Sequence, residues 1–166
     1  MTAVFSSAVG FTSDSFVVRI GGHATREHSP AFMRSVTDLI AQCQGRQLVV
    51  DVEPCDFLDS TFLGSLVVLF RRSRKEMCIC ATDSTREHLF ASARVDRLIP
   101  VRPPGECSWP DSWQQIDESE PCDVTALIEN VAAAHRCLAD IEGPNAAVYR
   151  DVADQLESEL KTGTAQ

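Results

Sequence analysis

Short β-branched runs alternate with amphipathic helical stretches through the first hundred residues, and this alternation restricts the fold more than any other feature. LVVDV at 48–52 and MCICA at 77–81 are brief, nearly unbroken apolar runs. Such runs suit strands buried on both faces of a parallel sheet. FVVRI at 16–20 is rich in β-branched and aromatic residues and is also a strand. Residues 3–11 make a weaker strand before a polar turn at 12–15, and Gly21-Gly22 ends the second strand. Between strands, Ser29-Pro30 opens a helix in which Phe32, Val36, Leu39, Ile40 and Cys43 share one face, and Gly45 closes it. Leu63, Leu66, Val67 and Phe70 mark a second helix over 60–74, with Arg71, Arg72, Arg74 and Lys75 at its negative pole. Asp83-Ser84-Thr85 caps a third helix to about Ala93, and 98–101 forms a last edge strand that tolerates Pro100. The order β-β-α-β-α-β-α-β predicts an α/β domain on a mixed sheet of four to five strands, parallel after an opening hairpin-like pair.

Charge then divides the chain. Residues 1–105 carry a net +1 and residues 106–166 a net −10, within a total of −9. The change falls at Pro103-Pro104-Gly105, a strong breaker cluster, so we expect a domain at 1–102 and an acidic extension at 103–166. In the extension, 106–121 reads as a loop holding Trp109 and Trp113. Leu127, Ile128, Val131, Ala134 and Leu138 mark one helix, Gly143-Pro144 breaks it, and Tyr149, Val152, Leu156 and Leu160 mark another. Together these predict a helical hairpin laid on the domain.

Several classes of function are disfavoured. The negative charge argues against a general nucleic-acid binder. No apolar run approaches the ~20 residues of a membrane helix, and the N-terminal residues show no secretory pattern. The seven cysteines are unevenly spaced and include no CxxC pair, so reduced thiols and a cytoplasmic location are expected. Cys78 and Cys80 point to one face of their strand and are expected in the core. His23, His28, His88 and His135 lie far apart, and Asp51, Glu53, Asp56 and Asp59 read as solvated turn residues, so no metal or other cofactor is expected. No nucleophile–base pair or glycine-rich phosphate loop marks an enzyme.

The informative stretch is FLDSTFLG at 57–64, which follows the LVVDV strand and opens the second helix. Ser60 therefore stands at or near a helix N-terminus, where unpaired backbone N–H groups and a partial positive charge accommodate anions. A phosphate there would bring about −1.5 to −2 charge units. Taken alone, the pattern fits an ordinary helix cap better, because capping serines are common.

The run LVVDVEPCDFLDSTFLG resembles the signature of the STAS domain, shared by bacterial anti-sigma-factor antagonists: a strand ending in aspartate, then apolar–Asp–Ser–Ser/Thr–Gly–Leu–Gly, then a helix. ATDSTREHLFASARVDRLIPV resembles the family's closing helix and strand, and FVVRIGGHATREHSPAF its second strand and partner-binding loop. The resemblance covers roughly residues 3–102 and implies a non-catalytic regulator that binds an anti-sigma factor with serine-kinase activity. It implies phosphorylation of Ser60, with Thr61 as the alternative, and a partner surface of Gly22, His23, Ala24, Thr25, Asp59, Ser60, Thr61 and Phe62. Phe62 replaces the usual glycine, which would narrow the approach to Ser60, and His23-Ala24 replace an acidic–apolar pair. A second reading is a STAS scaffold without phospho-switching, in which the tail drives self-assembly, for instance as a homodimer. Trp109 and Trp113 are expected to seal the tail against the domain, and Arg71, Arg72, Arg74 and Lys75 to be solvated or paired with the acidic tail.

Overall fold

In the computed structural model, residues 3–117 and 123–164 are described; Cys122 and the end of the expected loop, 118–121, lie outside them. The first two strands, β1 (Ser6–Phe11) and β2 (Ser15–Ala24), form the antiparallel opening pair. β2 then pairs in parallel with β3 (Gln47–Asp51), β3 with β5 (Met77–Cys80), and β5 with the short β6 (Val101–Arg102). The mixed sheet predicted from the alternation is present, but it is larger than four or five strands. β4 (Cys55–Leu58) pairs with the far end of β2, and β7 (Gln114–Gln115) adds to the free edge of β1.

Two details differ from the sequence reading for physical reasons. Gly21-Gly22 do not end β2: the strand runs through them with a register shift before His23. Gly22 takes φ 72°, a backbone region that favours glycine, because the Val4 carbonyl lies where a side chain would stand. Of the edge strand expected over 98–101, only Val101 is paired, in β6; residues 98–100 follow a 3₁₀ turn at Val95–Arg97. Asp96, almost fully buried, accepts from Arg86 (2.9 Å) and Arg94 (3.1 Å) there, fixing that turn.

The helices α1 (Ser29–Gln42), α2 (Ser60–Arg72) and α3 (Asp83–Phe90) contribute to one core with a single face of the sheet. Alternation along the strands decides which residues enter it. Val18, Val50 and Ile79 stand in register and face the helices, whereas their neighbours Val17, Val49 and Cys78 face the other way. That second face is covered by the chain after Pro103: Cys107 and Trp113 pack on Val17, Val49, Cys78 and Cys80. The inward placement expected for both strand cysteines is met on this side. Arg19 emerges between the tryptophans, 3.9 Å from the Trp113 ring and 5.6 Å from the Trp109 ring, and binds the buried Asp51 at 2.8 Å. Asp51 is thus a buried ion-pair partner, not a solvated turn residue.

The tail ends in the expected hairpin, α4 (Val124–Ala139) and α5 (Ala146–Thr164). It forms a further layer outside α2, with Leu138 and Cys137 reaching the main core.

Candidate functional site

The site is built at the C-terminal end of β3 and β4, where α2 begins. Asp59 is the N-cap of α2: its backbone is extended and its Oδ1 accepts from the Phe62 N–H at 2.9 Å. Ser60 is therefore the first helical residue. The second carboxylate oxygen of Asp59 accepts from the Arg26 N–H at 2.6 Å, and the Asp59 N–H donates to the Ala24 carbonyl at 3.1 Å. One aspartate thereby staples the loop after β2 to the start of α2, and the segment 22–25 stands beside Asp59 and Ser60.

The residues of the expected partner surface divide by exposure. His23, Thr25, Asp59 and Ser60 are half-buried and reach the surface. Gly22, Ala24, Thr61 and Phe62 are buried. Phe62 does not narrow the approach to Ser60; its ring points into the core against Phe32 (5.0 Å between centroids) and Phe5 (5.8 Å). Exposed Phe57, which the sequence reading did not single out, stands 5.7 Å from the His23 ring and adds an aromatic to the rim. Below it, burial pushes the Cys55 thiol up to about 11, so it is a neutral thiol that donates to the Gly22 and Phe57 carbonyls.

His135 of α4 is the main feature that sequence reasoning missed. Its Nε2 lies 2.9 Å from Ser60 Oγ, across 75 residues of chain, and its Nδ1 lies 2.8 Å from the Val131 carbonyl. A carbonyl only accepts, so Nδ1 carries a proton; in the neutral ring, Nε2 then accepts from the Ser60 hydroxyl. One signal was available: His135 sits four residues after Val131 and three before Leu138, on the apolar stripe of the tail helix.

Next to this contact the two helices touch backbone to backbone. A side chain at Gly64 would overlap the Ala134 carbonyl. A hydrogen-bond relay runs alongside: Asn130 Nδ2 donates to Ser29 Oγ (2.8 Å), Ser29 and Ser65 hydroxyls meet at 2.6 Å, and Ser65 donates to the Thr61 carbonyl (2.8 Å). The two ends fix the direction, so Ser29 donates to Ser65 and each hydroxyl gives one bond and accepts one.

The Ser60–His135 contact lies under α4, at the start of α2. A cavity of about 660 Å³ lies at the other end of α2, between Phe16, Ile40, Leu48, Arg46, Arg72 and Arg74. No cluster of three or more metal-ligating side chains occurs among the described residues, and no described helix is long and apolar enough to cross a membrane.

The family model of the STAS domain matches residues 7–104. The chain belongs to the STAS domain family. Among solved structures, an anti-sigma factor antagonist from Mycobacterium paratuberculosis is similar in fold. Its TM-score is 0.53 at 20% identity, over 61% of this chain and 89% of that one. No match was found among the curated proteins. The STAS match ends as the acidic tail begins, so α4, α5 and His135 lie outside it. Gly64, against which α4 is seated, lies inside it, in the DSTFLG motif.

Proposed function

We infer that this STAS protein is an anti-sigma-factor antagonist, a non-catalytic binding module acting on a bacterial anti-sigma factor that is also a serine kinase. Residues 1–102 form the binding domain in this reading, and 103–166 an acidic C-terminal extension. The observation that carries it is the juxtaposition made by Asp59. The hydroxyl of half-buried Ser60, at the first position of a helix, stands beside the loop bearing His23 and Thr25. With a neutral hydroxyl, that surface docks on the partner. With phosphate on Ser60, about two negative charges stand next to the Asp59 carboxylate within the contact, and repulsion plus desolvation cost release the partner. A full shift of such an equilibrium needs ~5.5 kcal/mol of differential affinity. Thr61 is the weaker acceptor, since its side chain is buried. The effect on transcription is indirect, through the sigma factor freed from the partner, and the protein acts in the cytoplasm without touching DNA or membrane.

Binding of the wild type, Ser60→Ala and Ser60→Asp to the cognate anti-sigma factor tests the reading. Ser60→Ala is expected to bind at least as well as the wild type, and Ser60→Asp about a hundredfold more weakly. Equal binding by both variants overturns the switch. The Ser60–His135 hydrogen bond favours one other reading, a scaffold in which the hydroxyl is structural and the tail drives self-association. There, neither variant alters partner binding, and Ser60→Ala alters the oligomer.

A further inference from the structure

We propose that the groove between α1 and α2 is a helix-binding surface, and that the α4–α5 hairpin is its occupant in cis, a cap that must lift before Ser60 meets a partner. This rests on the reading of Ser60 given above and adds its regulation. The groove is specific in three respects. It accepts a helix only at backbone distance, because Gly64 leaves no room for a side chain opposite Ala134. It offers the Ser60 hydroxyl to an acceptor one residue along, filled by His135. It offers Ser29 Oγ to a donor, filled by Asn130. A partner helix that takes this groove has a small residue opposite Gly64 and polar groups at those two places. It cannot enter while α4 is there.

The hairpin is also made to move as one body. Arg136 of α4 holds Asp154 (2.6 Å) and Glu157 (3.0 Å) of α5, and Ala153 is fully buried. Toward the domain it presents Leu138 and Cys137 to the core. Its other bonds there run largely to exposed atoms: Arg71 with Asp140 at 3.3 Å, and Asn145 and Tyr149 with the Ser92 carbonyl. Water can take over those polar bonds on release, so opening costs less than unfolding the sheet. While the cap is closed, a partner or kinase that needs the groove sees an affinity reduced by the fraction of molecules open.

Two variants lift the cap from opposite sides. Gly64→Ala adds a methyl to α2 where α4 must sit, yet favours α2 itself as a helix by ~1 kcal/mol. Ala134→Leu overpacks a fully buried position of α4 from the hairpin side and leaves the domain sequence intact. Hydrogen exchange on the full chain, without partner, is the readout. In the wild type, α4 and α5 amides are expected to share one protection level, below that of β2, β3 and β5. In both variants that level falls by at least about tenfold while sheet protection holds. Hairpin protection equal to that of the sheet, or unchanged in both variants, overturns the cap. Binding of the anti-sigma factor supplies a separate arm. Tighter binding by both variants is expected, and a lifted hairpin with unchanged affinity overturns the competition. If no form binds that partner, the functional reading falls, and the exchange data still decide whether the hairpin is a cap.

Discussion

The acidic tail touches the domain twice, and the two contacts are built differently. Its first part lies across the open face of the sheet as a strap. It adds β7 to the edge of β1, packs Trp113 and Cys107 on Val17, Val49, Cys78 and Cys80, and sets both tryptophan rings against Arg19, which pairs with the buried Asp51. Its last part, the hairpin, meets α2 through a glycine, a relay of hydroxyls and one histidine. Releasing the strap strips an apolar sheet face and disturbs a buried ion pair, both costly in water. Releasing the hairpin exposes hydroxyls and amides that water satisfies, together with Leu138 and its neighbours. The tail is thus fixed at one end and separable at the other, and the separable end covers Ser60.

Arg19→Ala attacks the fixed contact and has the largest expected effect. It leaves the Asp51 carboxylate buried without its cation and removes the partner of both tryptophans, costing about 3 kcal/mol of global stability. Chemical denaturation followed by tryptophan fluorescence measures it. Leu138→Ala attacks the separable contact and removes about 2–3 kcal/mol from hairpin docking. It lowers α4 and α5 hydrogen-exchange protection, while the midpoint for the sheet moves less than in Arg19→Ala. Equal effects on both regions would erase the distinction.

Thiol labelling sharpens the same contrast. Burial raises Cys78 and Cys80 beneath the strap, and Cys137 within the hairpin contact. All three are protected in the closed molecule, so opening governs their reactivity. Cys137 is expected to label ahead of Cys78 and Cys80, and Gly64→Ala to speed Cys137 alone. Asp59→Ala removes the α2 cap and the staple to Arg26, for about 1 kcal/mol in thermal unfolding. The last effect is absent at neutral pH and emerges only in alkali. Burial holds the Cys55 thiol up at about 11 in the folded chain, against about 9 for a solvated thiol, so its contribution is intact below pH 9 and lost as pH rises through 11. Cys55→Ala flattens that part of the stability curve.

The legible parts of this molecule are those written in local residues. LVVDV and FLDSTFLG state a buried strand and a helix start within one short segment, and both form where expected, though the cap is Asp59 and not the serine after it. The antiparallel start, the parallel order and the hairpin were equally readable from periodicity. β4 was not, because CDFL is short and forms only by pairing with β2 beyond a bulge. β7 is two glutamines with no apolar signal, and depends on the β1 edge. The third helix is capped by Thr82, one residue before the expected Asp83-Ser84-Thr85 cluster, a boundary decided by one backbone torsion pair. Asp51 read as a turn residue because its cation, Arg19, comes from another strand. At the site, the sequence marks Ser60 and puts His135 on the apolar stripe of a tail helix, but nothing local pairs two residues 75 positions apart.

Phosphate transfer is the most direct test of the central claim. The full-length wild type and Gly64→Ala are incubated with the cognate anti-sigma kinase and ATP, and the modified position is mapped by mass spectrometry over time. Phosphate is expected on Ser60 in both, several-fold faster where the hairpin is lifted. Transfer that bypasses Ser60, or that proceeds on Ser60 at one rate in both proteins, would contradict a hydroxyl switch held under a removable cap.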